Sequence, residues 1–172
     1  ALAGGLYYSS DPKIAGMPQL SSGMDYSARD IRLLQTDANG HMQSRTLAQQ
    51  LRHFSQDDRS ELSQVDSIWY QNGQPRATLL ADYVLANRDY QQIELRGRVM
   101  VSQIGQQSTP TVVLKTESLR GYPRQKRIDT THPVLIDSAQ GQMTSQGLSA
   151  NLAEGQYQFN HIRIQYAPAL RP

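Results

Sequence analysis

The sequence predicts an all-β protein in which bent antiparallel hairpins form two facing sheets, a jelly-roll-like trough. The clearest observation is the stretch 91–103, where apolar and polar residues alternate with the period of two that indicates a half-buried strand. Gly97 lies on the apolar side of this stretch, and a missing side chain within a strand commonly marks a bend. A composition typical of thin sheets and a fourfold repeat extend the prediction to the rest of the chain.

The composition of the 172 residues favours thin sheets with broad polar faces over a thick globular core. Hydrophobic residues make up 38% of the chain and aromatic residues 7%, and glutamine is common between the apolar positions. The formal net charge is +2 without a long run of either sign, so no nucleic-acid partner is expected. The chain has no cysteine, which excludes a disulfide scaffold, a cysteine-ligated zinc site and a thiol nucleophile.

The first eight residues are apolar and end in two tyrosines, as the outer end of a membrane helix does at the membrane interface. They are too few to cross a membrane, because a spanning helix needs about 20 apolar residues. We interpret residues 1–24 as an N-terminal arm or linker, either the stub of a removed transmembrane anchor or a loose terminus. Residues 25–168 are predicted to form a single β-jelly-roll domain, followed by a C-terminal tail at 169–172.

Regular structure is predicted from about Tyr26, with apolar residues alternating before a turn at residues 37–40. The pair Asn39-Gly40 in this turn tolerates the positive φ angles of a tight hairpin. The last apolar run, at residues 157–166, changes its apolar register at Asn160-His161, and a change by one residue is typical of a β-bulge.

After the first turn one pattern recurs four times. The pattern has three members: an apolar residue or threonine, an alanine or threonine two positions later, and an apolar residue three positions after that. Its central members are Ala48, Ala81, Thr116 and Ala150, at intervals of 33 to 35 residues. A propeller blade would need four strands per repeat, and a helical repeat conflicts with the alternation and with the interrupting Gly and Pro residues. Even residues 46–54, the best helical candidate, are predicted to be strand.

Four segments of the chain, in their order, resemble the LptC family of the Gram-negative lipopolysaccharide transport machinery. Residues 94–101, Glu-Leu-Arg-Gly-Arg-Val-Met-Val, are similar to the family's L-x-G-x-V-x-V segment. Residues 114–119, 128–134 and 146–148 are similar to its L-x-T-x-x-L, T-x-x-P-V and x-G-L segments. Related OstA-like domains share these elements, but the apolar N-terminus and the early end of the chain favour LptC. Where family members often have an aromatic residue at the start of the first repeat, this chain has Ser44.

The resemblance implies a twisted, V-shaped, OstA-like antiparallel β-jelly roll whose apolar inner surface receives the lipid A acyl chains of lipopolysaccharide. It also implies a periplasmic domain tethered to the inner membrane, which meets the LptBFG complex at its N-terminal end and LptA at its C-terminal edge strand. Acyl chains gain roughly 0.8 kcal/mol for each CH₂ kept out of water, which suits an apolar trough. Pairing between domains would also cover their exposed strand edges. Neither a cofactor nor a catalytic step is expected.

The candidate binding residues follow from the apolar alternation and from this resemblance. The lipid-binding candidates are Ile31, Leu33, Leu62, Ile93, Leu95, Val99, Val101, Leu114, Ile128, Val134, Ile136 and Phe159. The alternative is that they only fill the core of a sandwich. The partner-binding candidates are Ile162, Ile164 and Tyr166, on the last strand, which otherwise only closes the sheet. The arginines and lysine at 120–127 could meet lipid phosphates or form a solvated hairpin tip.

Catalytic and metal sites are not predicted. The four histidines lack the short spacings of metal sites. Asp57 and Asp58 are adjacent in the sequence, but their carboxylates are not expected to face each other. Three alternatives stay open: a soluble LptA-like bridge protein, a jelly-roll carbohydrate-active enzyme and a fully packed structural repeat. The enzyme would need two acidic side chains roughly 5–10 Å apart in a cleft. The carboxylates that could serve that role lie on predicted turns or polar faces: Glu94, Glu117, Asp129 and Glu154.

Overall fold

The computed structural model describes residues 6–10, 24–87, 90–105 and 110–165. Within these ranges thirteen β-strands form one antiparallel sheet. The strands are β1 (Leu6–Ser10), β2 (Met24–Thr36), β3 (Met42–Phe54), β4 (Arg59–Gln71), β5 (Gln74–Ala86), β6 (Ile93–Ile104), β7 (Pro110–Tyr122), β8 (Arg127–Thr130), β9 (Val134–Ser138), β10 (Gly141–Ser145), β11 (Gly147–Asn151), β12 (Gln156–Asn160) and β13 (Arg163–Gln165). No helix in the described ranges is both long and apolar enough to cross a membrane. The predicted all-β class is confirmed.

The sheet is a meander in which each strand pairs with the next along the chain. After β7 the strands are interrupted, so that β7 pairs with β8 near one end and with β9 near the other. β8 pairs with β11, β9 with β10, β11 with β12 and β10 with β13. The last six strands are therefore the halves of three bent strands. The result is an open sheet curled into a jelly-roll trough, as predicted.

A line of backbone irregularities crosses the sheet near the middle of the long strands. Positive φ angles occur at Asp30, Gln64, Gly97, Arg98 and His161. The pairing of β5 with β6 shifts its register between residues 80 and 83, and that of β6 with β7 shifts between 96 and 99. We call this feature the bend line. The bend predicted at Gly97 is confirmed. The register change predicted at Asn160-His161 coincides with the positive φ of His161 and with the break between β12 and β13.

Three of the four copies of the repeated sequence pattern mark the bend line. In the fourth copy Ala150 lies on β11 and Ala153 lies in the turn that follows. On β3, β5 and β7 the inward-facing residues step by three positions across the line, from Ala48 to Leu51, from Ala81 to Val84 and from Thr116 to Leu119. Side chains alternate faces along a strand, so a step of three in a regular strand would expose one of the two residues. The bend restores both halves of the strand to the interior.

Local turns follow the predicted chemistry. Gly40 has a φ of +85° and closes the hairpin between β2 and β3, where its N–H donates to the Asp37 carbonyl at 3.0 Å. The Asp37 carboxylate accepts hydrogen bonds from the backbone N–H groups of Asn39 and His41, each at 2.9 Å. The backbone hydrogen bond from His41 is the main cause that lowers the pKa of Asp37. The segment 46–54 lies within β3 and is strand, as predicted.

β1 lies inside the segment interpreted as an N-terminal arm. It pairs antiparallel with β2, from Leu6 opposite Gln35 to Ser10 opposite Ile31. At least these five residues therefore join the sheet. The predicted domain boundaries at residues 25 and 168 stay a prediction.

Gly97→Ala tests the bend line. A Cβ atom at this position would lie 2.8 Å from the Cβ of Asp82, on a backbone with a φ of +81°. We expect a loss of about 2–4 kcal/mol in the free energy of unfolding, from strain at positive φ and from overpacking. Urea unfolding measures it. Gly40→Ala is the matched control, because its φ is also positive but no atom lies within 4 Å of the added Cβ. Equal destabilisation by the two substitutions would contradict the role of Gly97.

Candidate functional site

The two halves of the bent sheet face each other across an apolar interior. The first wall lies on the side of the turn at 37–41 and consists of residues 31–36, 42–48, 65–71, 74–81, 99–104 and 110–116 with β9, β10 and β13. The second wall consists of residues 24–29, 50–54, 59–63, 83–86, 93–96 and 118–122 with β8, β11 and β12. Buried side chains of both walls form one hydrophobic cluster.

All twelve predicted lipid-binding residues lie at this interior. Ten of them are buried members of the cluster: Ile31, Leu33, Leu62, Leu95, Val99, Val101, Leu114, Ile128, Val134 and Ile136. Ile93 and Phe159 are partly buried and pack against it. The structure therefore brings the set together, and its contact with lipid stays a prediction.

A narrow cavity lies between the walls near β2–β6. Four predicted residues line it, namely Leu33, Leu62, Ile93 and Leu95. Its free volume is about 40 Å³. One water molecule needs roughly 10–15 Å³, and pockets for drug-sized ligands enclose about 300–1,000 Å³. This cavity therefore has room for an acyl chain only if the walls separate.

Trp69 is an apolar contact between the walls at this cavity. It lies on the first wall and is 1% exposed. Gly121, on the second wall, lies in register with Ile93. A Cβ atom at Gly121 would be 3.3 Å from Cη2 of the Trp69 indole and 3.1 Å from Cγ1 of Ile93. The absence of a side chain at Gly121 leaves the space that the indole fills.

Gln103 joins the walls by hydrogen bonds near the last hairpin. It lies on β6 in the first wall, and its Nε2 donates to the carbonyl oxygen of Leu152 at 2.9 Å. Its Oε1 accepts a hydrogen bond from the hydroxyl of Tyr157, on β12 of the second wall. Burial raises the pKa of Tyr157 to about 12, so the hydroxyl keeps its proton at neutral pH. Gln103 therefore contacts both sides of the turn at residues 152–155 that connects β11 to β12.

Sequence reasoning missed four polar residues that line the cavity on the first wall. They are Gln35, Ser44, Thr46 and Ser67, which we call the polar row. The alternation could have found them, because each lies two residues from another inward-facing residue of its strand. Ser44, which departs from the aromatic residue that the resemblance leads us to expect at this position, lines the cavity with a hydroxyl.

The predicted partner-binding residues have different positions. Ile162 lies in the break between β12 and β13 instead of on a strand, because the chain changes register at His161, and its side chain is 47% exposed. Ile164 lies on β13 opposite Met143, and Tyr166 lies outside the described residues. Among the described strands, β12 and β13 pair on one side only, as does β1 at the other end of the sheet.

The basic residues at 120–127 are engaged within their own hairpin. Arg120 donates to Asp129 at 2.8 Å, and the guanidinium of Arg127 lies 5.0 Å from the centre of the Tyr122 ring. Lys126 is buried, and this desolvation lowers its pKa. Most of the basic side chains at residues 120–127 are therefore used in contacts within the protein.

Two of the four carboxylates considered for an enzyme have basic partners. Glu94 pairs with Arg96 at 3.0 Å, and Asp129 accepts from Arg120. Within the described ranges, no group of three or more His, Asp or Glu side chains is placed to hold a metal ion.

Comparison with known proteins identifies the family of the chain. The model of a family described as lipopolysaccharide-assembly, LptC-related, matches residues 1–167 of the chain. A search of curated proteins gives no match. The matched family is a lipopolysaccharide transport family on the periplasmic side of the membrane, and it is not an enzyme family. Because the match covers nearly the whole sequence, the chain belongs to the LptC family.

Proposed function

We propose that this chain is a lipopolysaccharide-binding scaffold that receives lipopolysaccharide from the inner-membrane LptBFG transporter and passes it to LptA. The observation that supports the proposal is the apolar interior between two walls of a single open sheet. Such an interior can accept hydrocarbon chains without recognising specific chemical groups on them, because hydrophobic burial is non-directional. The function has no catalytic step, and the ATP-driven partner supplies the work.

The narrow cavity supports a mechanism in which lipid separates the walls. The contacts that hold the walls together include the Trp69 indole against Gly121 and the hydrogen bonds of Gln103. An entering acyl chain replaces apolar contacts between the walls with apolar contacts to itself. The hydrophobic gain of roughly 0.8 kcal/mol for each buried CH₂ offsets the contacts that are lost. Lipid and wall contacts are therefore alternative ways to cover the same surface.

The ends of the sheet supply the direction of transfer in this proposal. β1 and β2 lie at one end, and β12 and β13 lie at the other. A partner strand added at either edge continues the backbone hydrogen bonds by β-augmentation. With LptBFG at the N-terminal end and LptA at the C-terminal end, the apolar interior becomes one segment of a longer trough. The protein would act in the periplasm, tethered to the inner membrane in its full length.

Site-specific photo-crosslinking tests the lipid path. A photoreactive residue at Leu62 or Phe159, which face the interior, is expected to form lipopolysaccharide adducts in cells that make this lipid. The same residue at Arg96 or Tyr83, which are exposed neighbours on paired strands, is expected to form none. Adducts are detected by immunoblotting for lipopolysaccharide. Folded protein without adducts at either interior position would overturn the proposed function.

Removal of the Gln103 side chain tests the opening of the walls. Gln103→Ala loses two hydrogen bonds, each worth about 0.5–1.5 kcal/mol. We expect backbone amides at residues 147–160 to exchange with deuterium several-fold faster, because local opening of the last hairpin becomes easier. Mass spectrometry of exchange measures this change. Gln49→Ala, at an exposed position of β3, is the control and should leave exchange in that segment unaltered.

Ile164→Pro tests the C-terminal edge. Proline removes a backbone N–H donor and is poorly tolerated in a paired strand. We expect this variant to lose co-purification with LptA, whereas Ile164→Ala, which keeps the donor, retains it. Thermal unfolding shows whether the rest of the sheet is intact. Unchanged co-purification of LptA with the proline variant would contradict the docking edge.

A further inference from the structure

The chain contains two Asn-Gly pairs, and both lie in exposed hairpin turns. Asn39-Gly40 lies between β2 and β3, and Asn72-Gly73 forms the turn between β4 and β5. An asparagine that precedes glycine is prone to deamidation, because glycine has no side chain to shield its amide nitrogen. Neither pair takes part in the proposed function.

Deamidation is a reaction between the asparagine side chain and the next backbone nitrogen. The glycine nitrogen gives up its proton and bonds to Cγ of the asparagine, which closes a succinimide ring. The bond from Cγ to the side-chain nitrogen breaks, and that nitrogen leaves with the proton as ammonia. Water then opens the ring to aspartate or isoaspartate. The rate depends on deprotonation of the glycine N–H and on rotation about the Cα–C bond of the asparagine.

The turn at Asn39-Gly40 opposes both requirements. The Gly40 N–H donates to the Asp37 carbonyl oxygen at 3.0 Å, which holds the nitrogen that would attack. The Asp37 carboxylate accepts hydrogen bonds from the N–H groups of Asn39 and His41, each at 2.9 Å, and restrains the backbone on both sides of Gly40. The His41 hydrogen bond is the main cause that lowers the pKa of Asp37, so the carboxylate is ionised at neutral pH. Its charge disfavours a second negative charge on the Gly40 nitrogen.

The turn at Asn72-Gly73 lacks these restraints. It consists of two residues between the paired Gln71 and Gln74, with φ angles of +53° and +76°. Among the described residues, neither the Gly73 N–H nor the Asn72 side chain has a hydrogen-bond partner. No atom lies within 4 Å of the position that a Cβ would take at Gly73, so the nitrogen is open to attack geometry and to solvent.

We infer that Asn72 is a site of spontaneous deamidation in the folded protein and that the hydrogen bonds of Asp37 protect Asn39. Both products place a new negative charge at the tip of the first wall. Isoaspartate also adds a CH₂ group to the main chain of the two-residue turn. The modified turn belongs to the hairpin that carries Trp69, which contacts the second wall at Gly121.

Mass spectrometry of tryptic peptides tests the inference on the full, folded chain. Cleavage after arginine places Asn39 in the peptide 33–45 and Asn72 in the peptide 60–76, and each peptide contains a single asparagine. During incubation at mildly alkaline pH, the deamidated fraction is expected to rise several-fold faster at Asn72 than at Asn39. In chemically denatured protein the two rates should become similar, because both turns are lost.

Asp37→Ala tests the cause of the protection. It removes the carboxylate that restrains the turn and should raise the rate at Asn39 several-fold without changing the rate at Asn72. Glu154→Ala, which removes an exposed carboxylate from another hairpin turn, is the control and should alter neither rate. Asp37→Asn keeps an acceptor oxygen but loses the charge, and it carries the test if Asp37→Ala does not fold.

Three results would overturn the inference. They are equal rates at the two sites in the folded, unsubstituted protein, faster reaction at Asn39, and an unchanged rate at Asn39 in the folded Asp37 variants. Absence of reaction at Asn72 in the folded protein, when the denatured protein reacts, would overturn it as well. The proposed function is independent of all these outcomes.

Discussion

The bend line is the constraint on which the rest of the structure depends. In a flat meander of regular strands, the step of three would put the inward residues of the two halves on opposite faces of the sheet, and neither face would be covered. The bend folds the sheet onto itself, so that the halves of the same strands become opposite walls. Positive φ angles at Gln64, Gly97 and Arg98 create the bend, and the step of three in the sequence pattern keeps apolar side chains inside on both halves.

The side-chain contacts that close the interior are separate from the backbone hydrogen bonds of the sheet. Trp69 fills the space above Gly121, and Gln103 joins the walls near the last hairpin. Each of these contacts joins strands that are not neighbours in the sheet, so it can be lost without breaking a backbone ladder. The ladders hold the shape of each wall, and a smaller set of side-chain contacts holds the walls together. This division suits the proposed function, in which the walls separate to admit lipid while the fold is kept.

The meander also leaves the sheet open. A closed barrel would remove its edges and would also fix the diameter of the interior. Here β1 lies at one edge of the described sheet and β12 and β13 at the other, and exposed edges invite pairing with other chains. In the proposed function this exposure is useful, because added strands would extend the trough while the walls stay separable. The same topology would then serve both lipid entry and assembly.

The strands, the hairpin at Gly40 and the bends at Gly97 and His161 could be predicted from the sequence, because they follow from local alternation and backbone conformation. The sequence also indicated the apolar interior and, by resemblance, the family. How the walls meet is a property of the tertiary structure. Tyr157 reaches Gln103 across 54 positions, and Trp69 lies against Gly121. Periodicity assigns a residue to a face, but it carries no information on which residue of the other wall lies opposite, and that pairing creates the narrow cavity with its polar row.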